Sequence, residues 1–208
     1  MKHSFSTLTG RLLAVLALFA LSLGIANGAT DNPAQQVVRT TTEQVLAVLR
    51  KEGGDIKGDS QRLYKVIDEL ILPHFNFKKM SRWVLGRHWR KASAEQQQAF
   101  MLQFQGLLVR TYAQALIDYR NQQIDFLPAS PDAAETVVVR TRVNQEGGPG
   151  IPIVYKMSMQ DGDWKVFDVS IDGVSLVVNY RASFNDEIRR NGLDGLIKRL
   201  SAHNSKNT

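Results

Sequence analysis

An α+β fold is predicted by three features of this chain. Apolar residues recur with helical spacing up to about Asn121, they alternate with polar ones beyond it, and the last alternating run, Trp164 to Ile171, passes through Gly173-Val174-Ser175-Leu176 into two further amphipathic stretches. No linker composition marks the change of period, so the helical part (about 30–121) and the sheet with its C-terminal helices (about 122–203) read as one fold.

Asn32-Pro33 is a helix start, a cap residue followed by proline at the first helical position, and Val37, Thr41, Val45, Val48 and Leu49 then share a face. Gly53-Gly54 ends that helix. Asp59 or Ser60 caps the next, whose stripe of Leu63, Val66, Ile67, Leu70 and Ile71 stops at Pro73. A short helix from about Asn76 to Leu85 is closed by Gly86. Ser93 and Gln96 form a capping box that opens the longest helix, Ala94 to about Asn121, with Phe100, Phe104, Leu107, Leu108, Thr111 and Ala115 expected on its buried face.

Ile124, Phe126 and Pro128 indicate a first strand. Val137, Val139, Thr141 and Val143 alternate with Val138, Arg140 and Arg142; Ile153, Tyr155, Met157 and Met159 alternate with Val154, Lys156 and Ser158. A glycine-rich connection, Gln145 to Gly150, joins these two, and Asp161-Gly162 is a turn into the last strand. The expected sheet is an antiparallel meander. Helices are expected from Leu176 to Asn191, broken at Gly192, and from Leu193 to Ala202. Helices first and a curved sheet later suit an NTF2-like cone with the helices on one face.

The first 29 residues read as a secretory signal: Lys2 and Arg11, a nearly unbroken apolar run from Leu12 to Ile25, and small residues that place cleavage near Gly28 or Ala29. The run is too short to span a bilayer, where roughly 18 apolar residues or more are needed. The sequence has no cysteine, which excludes disulfides, thiolate nucleophiles, Cys-based metal sites and a lipoprotein anchor. Without the leader the chain has 24 basic and 20 acidic side chains. In an exported protein that modest excess suits anionic headgroups or acidic partners better than nucleic acid.

Reactive constellations are sparse. His74 and His88 are too few for a metal triad, and there is no nucleophile elbow, phosphate loop or zinc-protease run. Asp161-Gly162-Asp163 lacks the oxygen-rich continuation of a calcium loop. On strict alternation Asp168 shares a face with Trp164 and Val166, where a carboxylate, with or without Tyr155, would serve a small lyase or isomerase. The alternative is that Asp168 caps a backbone group or pairs with an arginine near the strand end, and this is favoured because no second oriented group accompanies it. Ser175, at a strand-to-helix junction, reads as an N-cap.

Two blocks carry a family resemblance: Trp164 to Leu200, and Ile71-Leu72-Pro73 with Phe75, Met80, Val84-Leu85-Gly86, Trp89 and Ser93 leading into Phe100, Phe104 and Tyr112. Together they resemble the MlaC family of periplasmic phospholipid carriers, also called toluene-tolerance auxiliary proteins. The resemblance implies a bent sheet and helices enclosing a deep apolar cavity, phospholipid as cargo with no cofactor, and no enzymatic activity. It also implies two partners, an inner-membrane ABC transporter complex with an MCE-domain subunit and an outer-membrane lipoprotein complex, and a role in keeping phospholipid out of the outer leaflet. Under it, the expected lipid-binding residues are Phe75, Met80, Val84 and Leu85 around the third helix, and Phe104, Leu108 and Tyr112 on the long one. The strands contribute Val139, Tyr155, Met157, Val166, Val169 and Ile171, and the final link Val174 and Leu176. A chaperone for apolar segments is a third class, and would present a groove without bound lipid.

The physics behind the expectation is the cost of exposed hydrocarbon. At about 0.8 kcal/mol per methylene, two long acyl chains left in water would lose on the order of 20 kcal/mol or more. Both chains must therefore be covered, whereas the headgroup belongs in water at the mouth.

Overall fold

The structure, a computed structural model, describes residues 32–52, 56, 59–132, 135–145 and 147–206. The expected leader, the Gly53-Gly54 helix stop and Glu146 in the expected connection lie outside the described residues. Helix α1 (Pro33–Lys51) starts where the cap residue predicts, with the Asn32 side chain accepting from Ala34 N at 2.9 Å. Asp59 caps α2 (Ser60–Leu70) by accepting from Arg62 N. The end of α1 is tied to the start of α2 by a two-pronged pair, Arg62 to Glu52, at 2.7 and 2.5 Å. A 3₁₀ turn (Leu72–His74) leads to α3 (Phe77–Leu85), capped by Asn76 and ended by Gly86 at φ 53°. Another 3₁₀ segment (Gly86–Lys91) precedes α4 (Ala94–Asp118), whose capping box has both bonds in place.

Five strands follow in a meander ordered β1-β2-β3-β4-β5, all antiparallel: β1 (Ile124–Pro131), β2 (Thr136–Gln145), β3 (Gly148–Gln160), β4 (Asp163–Ile171) and β5 (Val174–Ser175). Asp161-Gly162 and Asp172-Gly173 both have positive φ at their two residues, the backbone that tight hairpins require. The glycine-rich connection is shorter than expected, because β3 already pairs at Gly148 with Gln145. Register shifts interrupt each of the three long pairings, bending and twisting the strands. The C-terminal helix α5 (Leu176–Lys206) is broken at Gly192, φ 71° and ψ 174°, where the sequence places the division.

Two cores result. The larger joins α3, α4 and α5 to the sheet; the smaller packs Leu49, Leu63, Val66 and Ile67 against Ala113 and Ile117. Helix α4 serves both, so its buried face changes along its length, from Phe100, Phe104, Leu107 and Leu108 to Ala113 and Ile117. That is why Thr111, expected inside, is exposed and instead bonds back to Leu107 O at 2.8 Å. Ala115 is only half-buried.

Candidate functional site

Between α1, α2, α4 and the concave run of strands lies a cavity of about 320 Å³. Helix α1 contributes Val37, Val38, Thr41, Thr42, Val45 and Leu46, positions that recur every four residues and so form one stripe. Helix α4 contributes Leu108, Tyr112, Ala115, Leu116 and Tyr119. The sheet supplies rows fixed by register: Thr141 opposite Ile153, which is opposite Ile171, and Tyr155 opposite Val169. Most of these strand side chains are short and β-branched. They leave space that the aromatic residues of the wall, Phe75, Phe77, Tyr112 and Tyr155 among them, border without filling.

One irregularity decides which β4 residues reach the cavity. Lys156 pairs with Asp168 but Met157 pairs with Val166, so Phe167 is an extra residue. The shift turns both Val166 and Val169 toward the cavity, although strict alternation would put them on opposite faces. It also turns Asp168 away. Its carboxylate is 3 % exposed and accepts from Ser175 Oγ at 2.7 Å and Val177 N at 3.2 Å, while Ser175 Oγ accepts from Val178 N at 3.1 Å. The expectation that Asp168 shares a face with Val166 is thus corrected. Asp168 and Ser175 hold the start of α5, in the capping role that the sequence favoured.

The cavity wall contains no Asp, Glu, Lys or Arg among the described residues. Burial favours the neutral form of three of its side chains. Burial pushes the Tyr112 hydroxyl up to about 12, with Tyr180 adding to the effect, and burial also raises Tyr155. His74 is lowered, first by burial and then by the nearby Lys165 ammonium. A wall of hydrocarbon with neutral hydroxyls can hold an apolar chain but offers a buried charge no compensation.

A second recess, about 410 Å³ and polar, adjoins the first. Arg39, Glu43, Arg50, Gln122 and Gln123 surround it, and Thr42, Leu46 and Ile124 line both spaces, so hydrocarbon gives way to polar surface across one row of residues. Arg39 lies over the Phe126 ring at 4.2 Å, and Arg50 Nε donates to Arg120 O at 2.9 Å.

The family model for MlaC protein matches residues 39–202. The chain belongs to the MlaC family. Toluene tolerance protein Ttg2D of Pseudomonas putida is 30% identical over 190 residues, 91% of this chain and 86% of that protein. The intermembrane phospholipid transport system binding protein MlaC of Haemophilus influenzae is 26% identical over 169 residues, 79% of this chain and 78% of that one. A solved phospholipid-binding protein from Ralstonia solanacearum, in complex with a phospholipid, superposes with a TM-score of 0.77 at 35% identity, covering 85% of this chain and 99% of that one.

Within this MlaC-family fold, the residues expected from sequence divide by location. Phe75, Met80, Leu108, Tyr112, Tyr155, Val166, Val169, Ile171 and Leu176 line the cavity. Val84, Leu85, Phe104, Val139 and Met157 are buried in the larger core instead, where other side chains fill the space around them. Val174 is 56 % exposed, because the Asp172-Gly173 turn carries it to the outer end of the β4-β5 hairpin. Sequence reasoning missed the α1 stripe as lining: its spacing announces a buried face without telling whether protein or ligand covers it. In the sequence Thr141 and Val143 show only as part of an alternating strand, and His74 only as one of two histidines too few for a metal triad.

Among the described residues no group of three or more His, Cys, Asp or Glu is placed to hold a metal, and no helix is long and apolar enough to cross a membrane.

Proposed function

We propose that this protein is a periplasmic phospholipid carrier that moves glycerophospholipids between the outer and inner membranes. The reading rests on one observation above the others, the neutral, hydrocarbon-walled cavity that continues into a polar recess. It is supported by the phospholipid bound to the Ralstonia relative of the same fold. Acyl chains occupy the cavity against Phe75, Met80, Leu108, Val169 and the α1 stripe. The headgroup sits in the recess near Arg39, Glu43 and Arg50, where water remains available to it. No cofactor is required, and the protein is not an enzyme: Asp168, the carboxylate a lyase would have used, is committed to the start of α5.

Residues 1–29 act as an export signal removed near Gly28 or Ala29. The partners are an inner-membrane ABC transporter complex with an MCE-domain subunit and an outer-membrane lipoprotein complex, and the work of the shuttle maintains outer-membrane lipid asymmetry. Because release of both chains into water would cost on the order of 20 kcal/mol, transfer takes place in contact with a partner that continues the apolar path.

Organic extraction of the natively purified protein, followed by mass spectrometry, tests the reading. Two-chain phospholipids near one per protein are expected. A lipid-free protein would remove the carrier reading, as would rapid loss of cargo to dilute buffer within seconds.

A further inference from the structure

Among the hydroxyls of the cavity wall, those of Thr141 and Tyr155 lie side by side on the sheet. Thr141 lines the cavity, is only 2 % exposed, and its Oγ1 has no hydrogen-bond partner beyond the neighbouring Tyr155 hydroxyl. The Tyr155 hydroxyl, also in the wall, lies beside it, the two residues being diagonal neighbours on β2 and β3. Their position is set by register. Thr141 pairs across β1 with Phe126, which lines the polar recess, and Val143, two residues on, pairs with Ile124, which lines both spaces.

Two hydroxyls bonded to one another still leave one O–H without an acceptor, which is costly when buried, and acyl methylenes cannot relieve it. The missing partner must bring a hydrogen-bond acceptor. A carboxylate or phosphate there would be buried without a cation, since no Lys or Arg among the described residues lines the cavity, so the acceptor is a neutral one. A glycerophospholipid has such a group at this place along its length: the ester carbonyls lie between the hydrocarbon chains and the phosphate.

We propose that Thr141 and Tyr155 form a hydrogen-bonding notch for an acyl ester carbonyl of the bound lipid. The proposal deepens the carrier reading and rests on it. The notch sets how far the lipid enters, with chains beyond it and headgroup outside, and it distinguishes ester-linked from ether-linked lipids while leaving the headgroup unread.

The test is competition. Wild type, Thr141→Val and Tyr155→Phe are each delipidated, offered equal amounts of a diester phospholipid and the diether lipid of the same headgroup and chain length, and read by mass spectrometry. Wild type is expected to favour the diester by about fivefold, the worth of one neutral hydrogen bond, and both variants to take the two lipids nearly equally. Equal uptake by wild type, or a preference that survives both substitutions, overturns the notch while leaving the carrier standing; a trapped water that satisfies the hydroxyls would give the first of these results. Failure of wild type to bind either lipid overturns the carrier reading itself, and the notch with it. Should one variant fail to fold, the other decides.

Discussion

The aromatic cluster of the larger core and the wall of the cavity are built from similar apolar residues and behave in opposite ways. In the cluster, Phe100, Phe104, Tyr180 and Phe184 fill one another's space, with ring centroids 5.3 to 6.0 Å apart and Phe184 edge-on to both Phe100 and Phe104. Around the cavity, valines, isoleucines and Thr141 from β2, β3 and β4 face the α1 stripe across unfilled space. Apolar composition therefore does not separate structure from site. What separates them is whether another side chain is long enough to close the gap.

The largest effect is expected where the gap is closed. Phe184→Ala should lower the unfolding free energy by about 3–5 kcal/mol, because the ring's contacts with three neighbours leave a void that cannot collapse. Denaturant titration reads this, and a loss below about 1 kcal/mol would mean that the cluster is looser than its geometry. Asp168→Asn comes next. The amide cannot accept as strongly from both Ser175 Oγ and Val177 N, and a cost of about 1–2 kcal/mol is expected, with lipid per folded protein unchanged. A variant of full stability that lost turnover of some substrate would favour an enzyme instead.

A smaller effect is expected from pH. His74 is held below its usual 6.5 in the folded protein by burial and by Lys165. The unfolded chain then binds its proton first, so stability is present above about pH 6.5 and declines as pH falls through the lowered folded value. His74→Gln should flatten that part of a melting-temperature profile between pH 7.5 and pH 5; an unchanged profile would assign the decline to other groups. The smallest change in stability is expected on filling the hollow region. Ala115→Phe adds a ring on the cavity side of α4 where there is room, so the unfolding free energy should stay within about 1 kcal/mol of wild type, less than overpacking usually costs.

The same contrast explains what was legible in the sequence. Element boundaries were readable because local chemistry sets them: Asn32-Pro33, Asp59, the Ser93–Gln96 box and the break at Gly192 each stand where a cap or a left-handed residue is needed. Asp168 was misplaced on its strand because strict alternation has no knowledge of the extra residue at Phe167, which depends on pairing with β3. Core and lining were confused for a different reason. Phe104 and Tyr112 lie two turns apart on α4 and both meet Tyr180, yet Phe184 also packs on the first while the second lines open space, a difference made by α5 from far along the chain. Burial periodicity reports a face that avoids water. It does not report what covers that face.

The central claim, that the hollow exists for acyl chains, is tested most directly by measuring phospholipid per protein in wild type and Ala115→Phe purified side by side under native conditions. Near-stoichiometric diacyl lipid in wild type, falling several-fold in a variant that melts at the same temperature, is the predicted result. Equal lipid content in the two proteins, or none in either, would contradict it.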